Sequence, residues 1–241
     1  MPCFFYGTCN YTSAYCSQSN KSDNSICSYS HLAQKVFTRY GLFYGMEFLS
    51  QPLHIQSYYT LNNYYTSMLP SKHKLLLVEL VHKIYSFQRS NSSSMNYSYF
   101  LKVERFSLLD QYVVEKLCDL SRYIECFGST LIVEITERHL QLYKYTIEGE
   151  YALKDAGAIL ALDGFTYESN IVLDVTRHDV IKLELSYVRE SLAKAEFIEW
   201  LYTIKELGIK IVAKQVQTKE DYDLTLSLPF DYVQGYYEVL N

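Results

Sequence analysis

The last third of the chain constrains the fold most, because it repeats one unit: a short apolar run that closes on a polar or charged residue. LIVEITE carries Glu134, AILALD ends on Asp163, VIKLEL carries Glu184, IKIVAK ends on Lys214 and YVQG carries Gln234. Each run is rich in Ile, Val and Leu, and the intervening segments can form helices. This is the rhythm of βαβ units in a parallel sheet. When such strands close into a (β/α) barrel, all ends of one polarity meet at one face, so polar residues closing successive strands build a common site.

The rest of the composition narrows the function classes. With 241 residues, 49% hydrophobic and 20% charged, the chain has the makeup of a folded globular domain. The net charge of −5 and the lack of any Lys/Arg-rich run weigh against direct nucleic-acid binding. No apolar stretch approaches the roughly 18 residues of a membrane span. The start, MPCFFYGTCNYTS, lacks the basic region and apolar core of a signal peptide, so a cytoplasmic location is expected. Cys3, Cys9, Cys16, Cys27, Cys118 and Cys126 form no CxxC pair and match no common zinc spacing, which reads as reduced thiols. No function follows from the 25 tyrosines.

Along the chain, residues 1–28 read as an N-terminal extension of unknown role and 29–241 as one barrel domain. A hairpin is expected from Gln34 to Glu47 with Gly41 at its turn. Helices are expected over 73–87, 107–124 and 194–208, the last stopped by Gly208, and a strand over 99–104. The segment 89–98, RSNSSSMNYS, reads as a polar loop. Trp200 reads as a packed helix residue.

Together, VEITER, AILALDGF, DVIKLELSYV, VAKQVQT and DYVQGYY resemble the EAL domain family, the cyclic-di-GMP phosphodiesterases and their degenerate relatives. The corresponding family patterns are LEITE, IALDDFGTGYS, DYIKIDRSFV, VAEGVET and DYVQGY, and their order and spacing are kept. The resemblance implies a modified (β/α)8 barrel with an antiparallel first strand. Family enzymes hold two divalent cations on a dense set of oxygen ligands and activate a water with them. Glu47 in GMEFLS, Glu134 and Asp163 match ligand positions, and Lys182 matches a catalytic lysine. Glu184 replaces an Asp, and Glu137 matches a residue that braces the substrate loop.

Other positions depart from the pattern. Lys102 stands for a ligand Asn, and Gly164 for the second Asp of DDF, with Thr166, Tyr167 and Glu168 replacing the loop that follows. Lys214 stands for the general-base Glu, Gln217 for a second Glu, and Gln51 for the Arg that contacts a substrate phosphate. Glu47, Glu134, Asp163 and Glu184 are therefore expected to converge with Lys102, Lys182 and Lys214, leaving about one net negative charge. Buried carboxylates need a cation or a proton, and the lysines would serve as internal counterions in place of metals. No catalytic residue, metal or cofactor is assigned.

The resemblance then implies a non-enzymatic regulator, since stand-alone degenerate relatives act on transcription factors, including the flagellar master regulator. The expected partner is a cytoplasmic transcription factor governing motility, adhesion or virulence. The alternative is a cyclic-di-GMP receptor that binds without hydrolysis, and a third reading is an active phosphodiesterase with rearranged metals.

Overall fold

Eight strands close into a barrel in chain order. The computed structural model describes residues 4–5, 29–52, 64–65, 67–91, 96–136, 138–168 and 173–237. Strand β1 (Tyr29–Thr38) and β2 (Phe43–Pro52) form the expected hairpin, with Gln34 opposite Glu47 and Gly41 in the left-handed region at φ 80°. Then follow β3 (Ser98–Val103), β4 (Thr130–Thr136), β5 (Ile159–Asp163), β6 (Val180–Glu184), β7 (Lys210–Val216) and β8 (Tyr232–Gly235). Strand β1 runs antiparallel to both its neighbours, β2 and β8, and every other pair is parallel.

The strands' period of two separates two apolar layers. Val36, Phe100, Ile132, Ala161, Val180 and Val212 fill the barrel lumen. Leu101, Val103, Val133, Ile135, Leu160 and Leu162 face outward beneath the helices. Two residues beyond their lumen-filling neighbours, Lys102, Glu134, Asp163, Lys182 and Lys214 share the inward face one layer higher. The apolar floor therefore carries a charged layer.

Helix α1 (Pro70–Ser90) is longer than the expected 73–87, because Pro70 starts it with a preset φ and Arg89 favours its C-terminal end. It buries Leu76, Leu77, Leu80, Val81 and Ile84. The helix expected over 107–124 divides in two. Arg105–Leu109 is a 3-10 turn, and α2 (Gln111–Glu125) begins only after Asp110, whose carboxylate accepts from the backbone N–H of Tyr112 and Val113 at 3.0 and 3.4 Å. That cap competes with a continuous helix and wins locally. Helices α3 (Ile147–Asp155), α4 (Leu185–Ser191), α5 (Ala195–Glu206) and α6 (Lys219–Ser227) complete the outer layer. Trp200 stacks on Phe165 and Phe197, a packed helix residue as expected.

Phe4 donates its backbone N–H to the His31 carbonyl at 2.7 Å, and Phe5 is fully buried against Phe48 and Phe87. These two residues of the expected extension are thus packed on the barrel wall, while residues 6–28 lie outside the described residues. Cys118 is a buried free thiol and Cys126 an exposed one. Cys3, Cys9, Cys16 and Cys27 also lie outside the described residues, as do residues 92–95 of the loop expected over 89–98; that loop is shorter than expected, because Arg89 and Ser90 end α1 and Ser98 opens β3. No described helix is long and apolar enough to cross a membrane.

Gly45 lies opposite Ser98, and a Cβ there would sit 2.2 Å from the Ser98 carbonyl oxygen. A Gly45→Ala substitution should therefore force β2 away from β3. Urea unfolding should show a loss on the order of 1–3 kcal/mol, and an unchanged midpoint would contradict this packing.

Candidate functional site

The charged layer on the barrel's C-terminal face is a chain of alternating ammonium and carboxylate groups. Fully buried Lys182 donates from Nζ to Glu47 Oε2 at 2.8 Å and to Glu134 Oε1 at 2.5 Å. Lys102 Nζ lies 2.9 Å from Asp163 Oδ2 and 3.6 Å from Glu47 Oε1. Lys214 Nζ approaches Asp163 Oδ1 at 2.6 Å. Gln234 completes the ring by donating Nε2 to Glu47 Oε2 at 2.6 Å and, more weakly, to Gln34 Oε1 at 3.3 Å. Glu134 Oε2 is buried with no hydrogen-bond partner among the described residues.

These contacts set the protonation states. Burial opposes ionisation of Glu47, but the ammonium groups of Lys182 and Lys102 outweigh it and hold the carboxyl at about 2. Asp163 is likewise held well below the ordinary carboxylate range, because Lys102, Lys182 and Lys214 together overcome its burial. Burial also works against the charge on Lys182, yet Glu134 and Glu47 more than offset it and raise its pKa. Lys102 is raised in the same way by Glu47 and Asp163. Glu134 behaves oppositely. Burial and the neighbouring Glu47 carboxylate push it up to about 7, because Lys182 and Lys102 do not fully compensate.

Glu184 meets the ring only at its rim. Its side chain is 45% exposed and its Oε1 makes a long ion pair with Lys214 Nζ at 3.9 Å, so three of the four expected acids are buried in the layer and the fourth lies at its edge. The reason is local: Glu184 is the last residue of β6 and flanks the start of α4, where the chain turns out of the barrel.

The sequence model of the EAL domain matches residues 66–238. The chain belongs to the EAL domain family. Solved EAL structures share the fold at low identity. An EAL domain protein from Listeria monocytogenes superposes with a TM-score of 0.64 at 17% identity, covering 87% of each chain. LapD from Vibrio cholerae, bound to c-di-GMP, gives 0.70 at 17% identity over 87% of this chain and 53% of its own. BlrP1 from Klebsiella pneumoniae, as a calcium and c-di-GMP complex, gives 0.68 at 19% over 87% and 55%. The chain spans only 60% to 62% of the length of two forms of the EAL enzyme Bd1971 that share the fold, and 55% of BlrP1. Comparison with curated proteins gave no match.

The remaining positions expected in the EAL site scatter. Gly164 is an exposed turn residue with φ 75° and open space around it. Gln217 is exposed and uses its backbone N–H, not its side chain, to bind Asp221 Oδ2 at 2.8 Å beside α6. The backbone of Gln51 pairs with Ser30 at the end of β2, and its side chain lies outside the described residues. Glu137 lies outside them as well. Of the loop after Gly164, Thr166 is half-buried, Tyr167 donates its backbone N–H to the Tyr187 hydroxyl, and Glu168 accepts from Tyr187 and Lys194. Sequence reasoning missed Gln34 and the neighbouring Glu104–Arg138 pair. Gln34 was within reach, since the hairpin register places it against Glu47.

Replacing Lys182 by Met should leave Glu47 and Glu134 buried without their shared cation. A loss of roughly 3–5 kcal/mol is expected in chemical unfolding, partly recovered when Glu134→Gln is added. The pH dependence separates the two acids. Glu134, raised above its ordinary 4.5, favours the folded state at low pH, and that contribution disappears as pH rises through about 7. Glu47, lowered to about 2, contributes stability above its ordinary 4.5 that is lost as pH falls toward 2. Glu134→Gln should therefore flatten the decline in stability between pH 5 and 8 while leaving the acid limb in place. An unchanged slope in that window would contradict the assignment.

Proposed function

We propose that this EAL domain is a non-enzymatic regulator with a vestigial site, acting by protein–protein interaction. The observation that carries this reading is the position of the three ammonium groups. Lys182 lies between Glu47 and Glu134, while Lys102 and Lys214 take the two oxygens of Asp163. The divalent cations implied by the EAL fold would need those same oxygens. The donor set present does not suit them, and among the described residues no group of three His, Cys, Asp or Glu side chains is arranged to hold a metal. An ammonium group cannot lower the pKa of a water as a metal does, and a protonated Lys214 cannot act as a base.

A domain that keeps the barrel without metal-suited chemistry retains its outer surface as the carrier of function. Where α1 meets α2, next in sequence to the Lys74–Asp110 ion pair or two residues on, Leu75, Leu109 and Tyr112 are exposed, side chains of the kind that anchor interfaces. The partner we propose is a cytoplasmic transcription factor governing motility, adhesion or virulence. A second reading, a receptor that binds cyclic-di-GMP without cleaving it, is favoured by one observation. Lys102 leaves 34% of its side chain exposed on the face where dinucleotide phosphates would arrive.

Purified protein incubated with cyclic-di-GMP and Mg²⁺ or Mn²⁺ should return the dinucleotide intact by liquid chromatography, and linear product would sink the proposal. Lys214→Glu alone should not create activity, because Lys102 still stands for the ligand Asn and Gly164 for the second Asp. Affinity capture from the native cytoplasm should retain a transcription factor with both the unmodified protein and a folded Lys102→Ala, Lys214→Ala variant. Calorimetric binding of cyclic-di-GMP at low micromolar affinity, with no such protein retained, would replace this reading by the receptor.

A further inference from the structure

Beside the charged ring lies a cavity of about 280 Å³ that the proposed function does not use. Its wall is apolar where Phe48 of β2 faces Leu76, Leu77 and Leu80 of α1. Its other end is polar, formed by Lys102, Glu104 and Arg138. We propose that this cavity binds a free medium-chain carboxylate, the chain packed against α1 and the head group on the Lys102 ammonium. The inference is independent of the regulatory reading above.

Charge complementarity selects the head group. Arg138 is already ion-paired with Glu104, which also accepts from Thr136 Oγ1 at 2.8 Å, so that end contributes no surplus charge. His73, also on the lining, has its pKa lowered by burial and stays neutral near pH 7. Lys102 is the cation that can be shared. Each of its two carboxylate neighbours has a second ammonium: Asp163 has Lys214 at 2.6 Å, and Glu47 has Lys182 at 2.8 Å. An incoming carboxylate can therefore draw on Lys102 without leaving either acid unpaired. Lys102 is also the most exposed of the three lysines, with side-chain exposures of 34% against 15% for Lys214 and 0% for Lys182. A single point-charge donor suits a monoanion, because a dianionic phosphate would leave one charge unmatched.

Size and lining select the body. The cavity is slightly smaller than a typical ligand site and is mostly apolar with a few convergent polar groups. A saturated chain satisfies that wall with no unpaired polar atoms, whereas a cyclic dinucleotide would bury polar base edges against leucines.

Isothermal titration of the full chain with hexanoate, octanoate and decanoate tests the assignment. Saturable one-to-one binding is expected, tightening about threefold to fourfold per added methylene until the cavity is full. Octanol and octylamine should each bind at least tenfold more weakly than octanoate. Lys102→Met should cost octanoate at least tenfold in affinity and leave octanol unchanged. Should that variant fail to fold, the octanoate–octanol–octylamine comparison on the unmodified protein decides alone. No saturable carboxylate binding below the micellar range would overturn the proposal, and so would equal affinity for the alcohol or the amine. One-for-one displacement of octanoate by cyclic-di-GMP would overturn it too, because the cavity would then be a subsite of the face above it.

Discussion

The structure turns on one ammonium group. Lys182 projects from β6 into the top of a closed barrel, fully buried, and there meets carboxylates from β2 and β4. An isolated ammonium in that position would be untenable, and without it Glu134 would lose its ion-pair partner and Glu47 the closer of its two. The three groups therefore require one another, and because they come from three strands they require the barrel's closure and register as well. The contact joins residues 135 apart in sequence, a long-range constraint that local propensity cannot supply. The apolar floor formed by Phe100, Ile132, Val180 and Val212 lies below it, and Phe100 presents its ring to the ammonium at 5.3 Å.

Similar devices recur around the barrel, away from the face. Arg105 and Arg177 grip the two oxygens of buried Glu150 at 2.9 and 2.6 Å, tying the turn after β3 to α3 and to the segment before β6. On the other side, Glu79 of α1 accepts from Lys83 at 2.8 Å and lies 3.5 Å from His31 of β1. The first ties connecting segments to a helix, and the second ties a helix to a strand. The charged ring differs in pinning strand to strand, so changes there act on the cross-section of the barrel itself.

Much of this was legible in the sequence, for a physical reason. Strand alternation is strict, so once Phe100, Ile132, Ala161 and Val180 are read as inward, Lys102, Glu134, Asp163 and Lys182 must share that face two residues on. What the pattern could not supply was where each strand stops. Glu184 has the right parity but closes β6 just as α4 begins, and its side chain escapes to the rim. Gln217 follows Val216 out of β7, and its backbone serves Asp221 instead of the site. The helix expected from 107 breaks at Asp110 because one carboxylate caps better than it continues a helix. The aromatic abundance also acquires a place. Tyr97 and Tyr99 join Phe4, Phe5, Phe48 and Phe87 in a cluster that seals the barrel wall beneath α1.

The bulge in β7 has a consequence of its own. Between Ala213 and Val216 the pairing with β8 slips by a residue, and Gln215 adopts φ 63°, a left-handed conformation that costs a side-chain-bearing residue about 1–2 kcal/mol. The family pattern VAEGVET has glycine at this point, for which that conformation is free. Here the sequence reads VAKQVQT, so the strand keeps the kink while giving up the residue that makes it easy. The backbone and not the side chain thus decides where position 214 points. An ammonium at that position sets the charge of the face while the backbone sets its geometry, with Gln215 bearing the conformational cost.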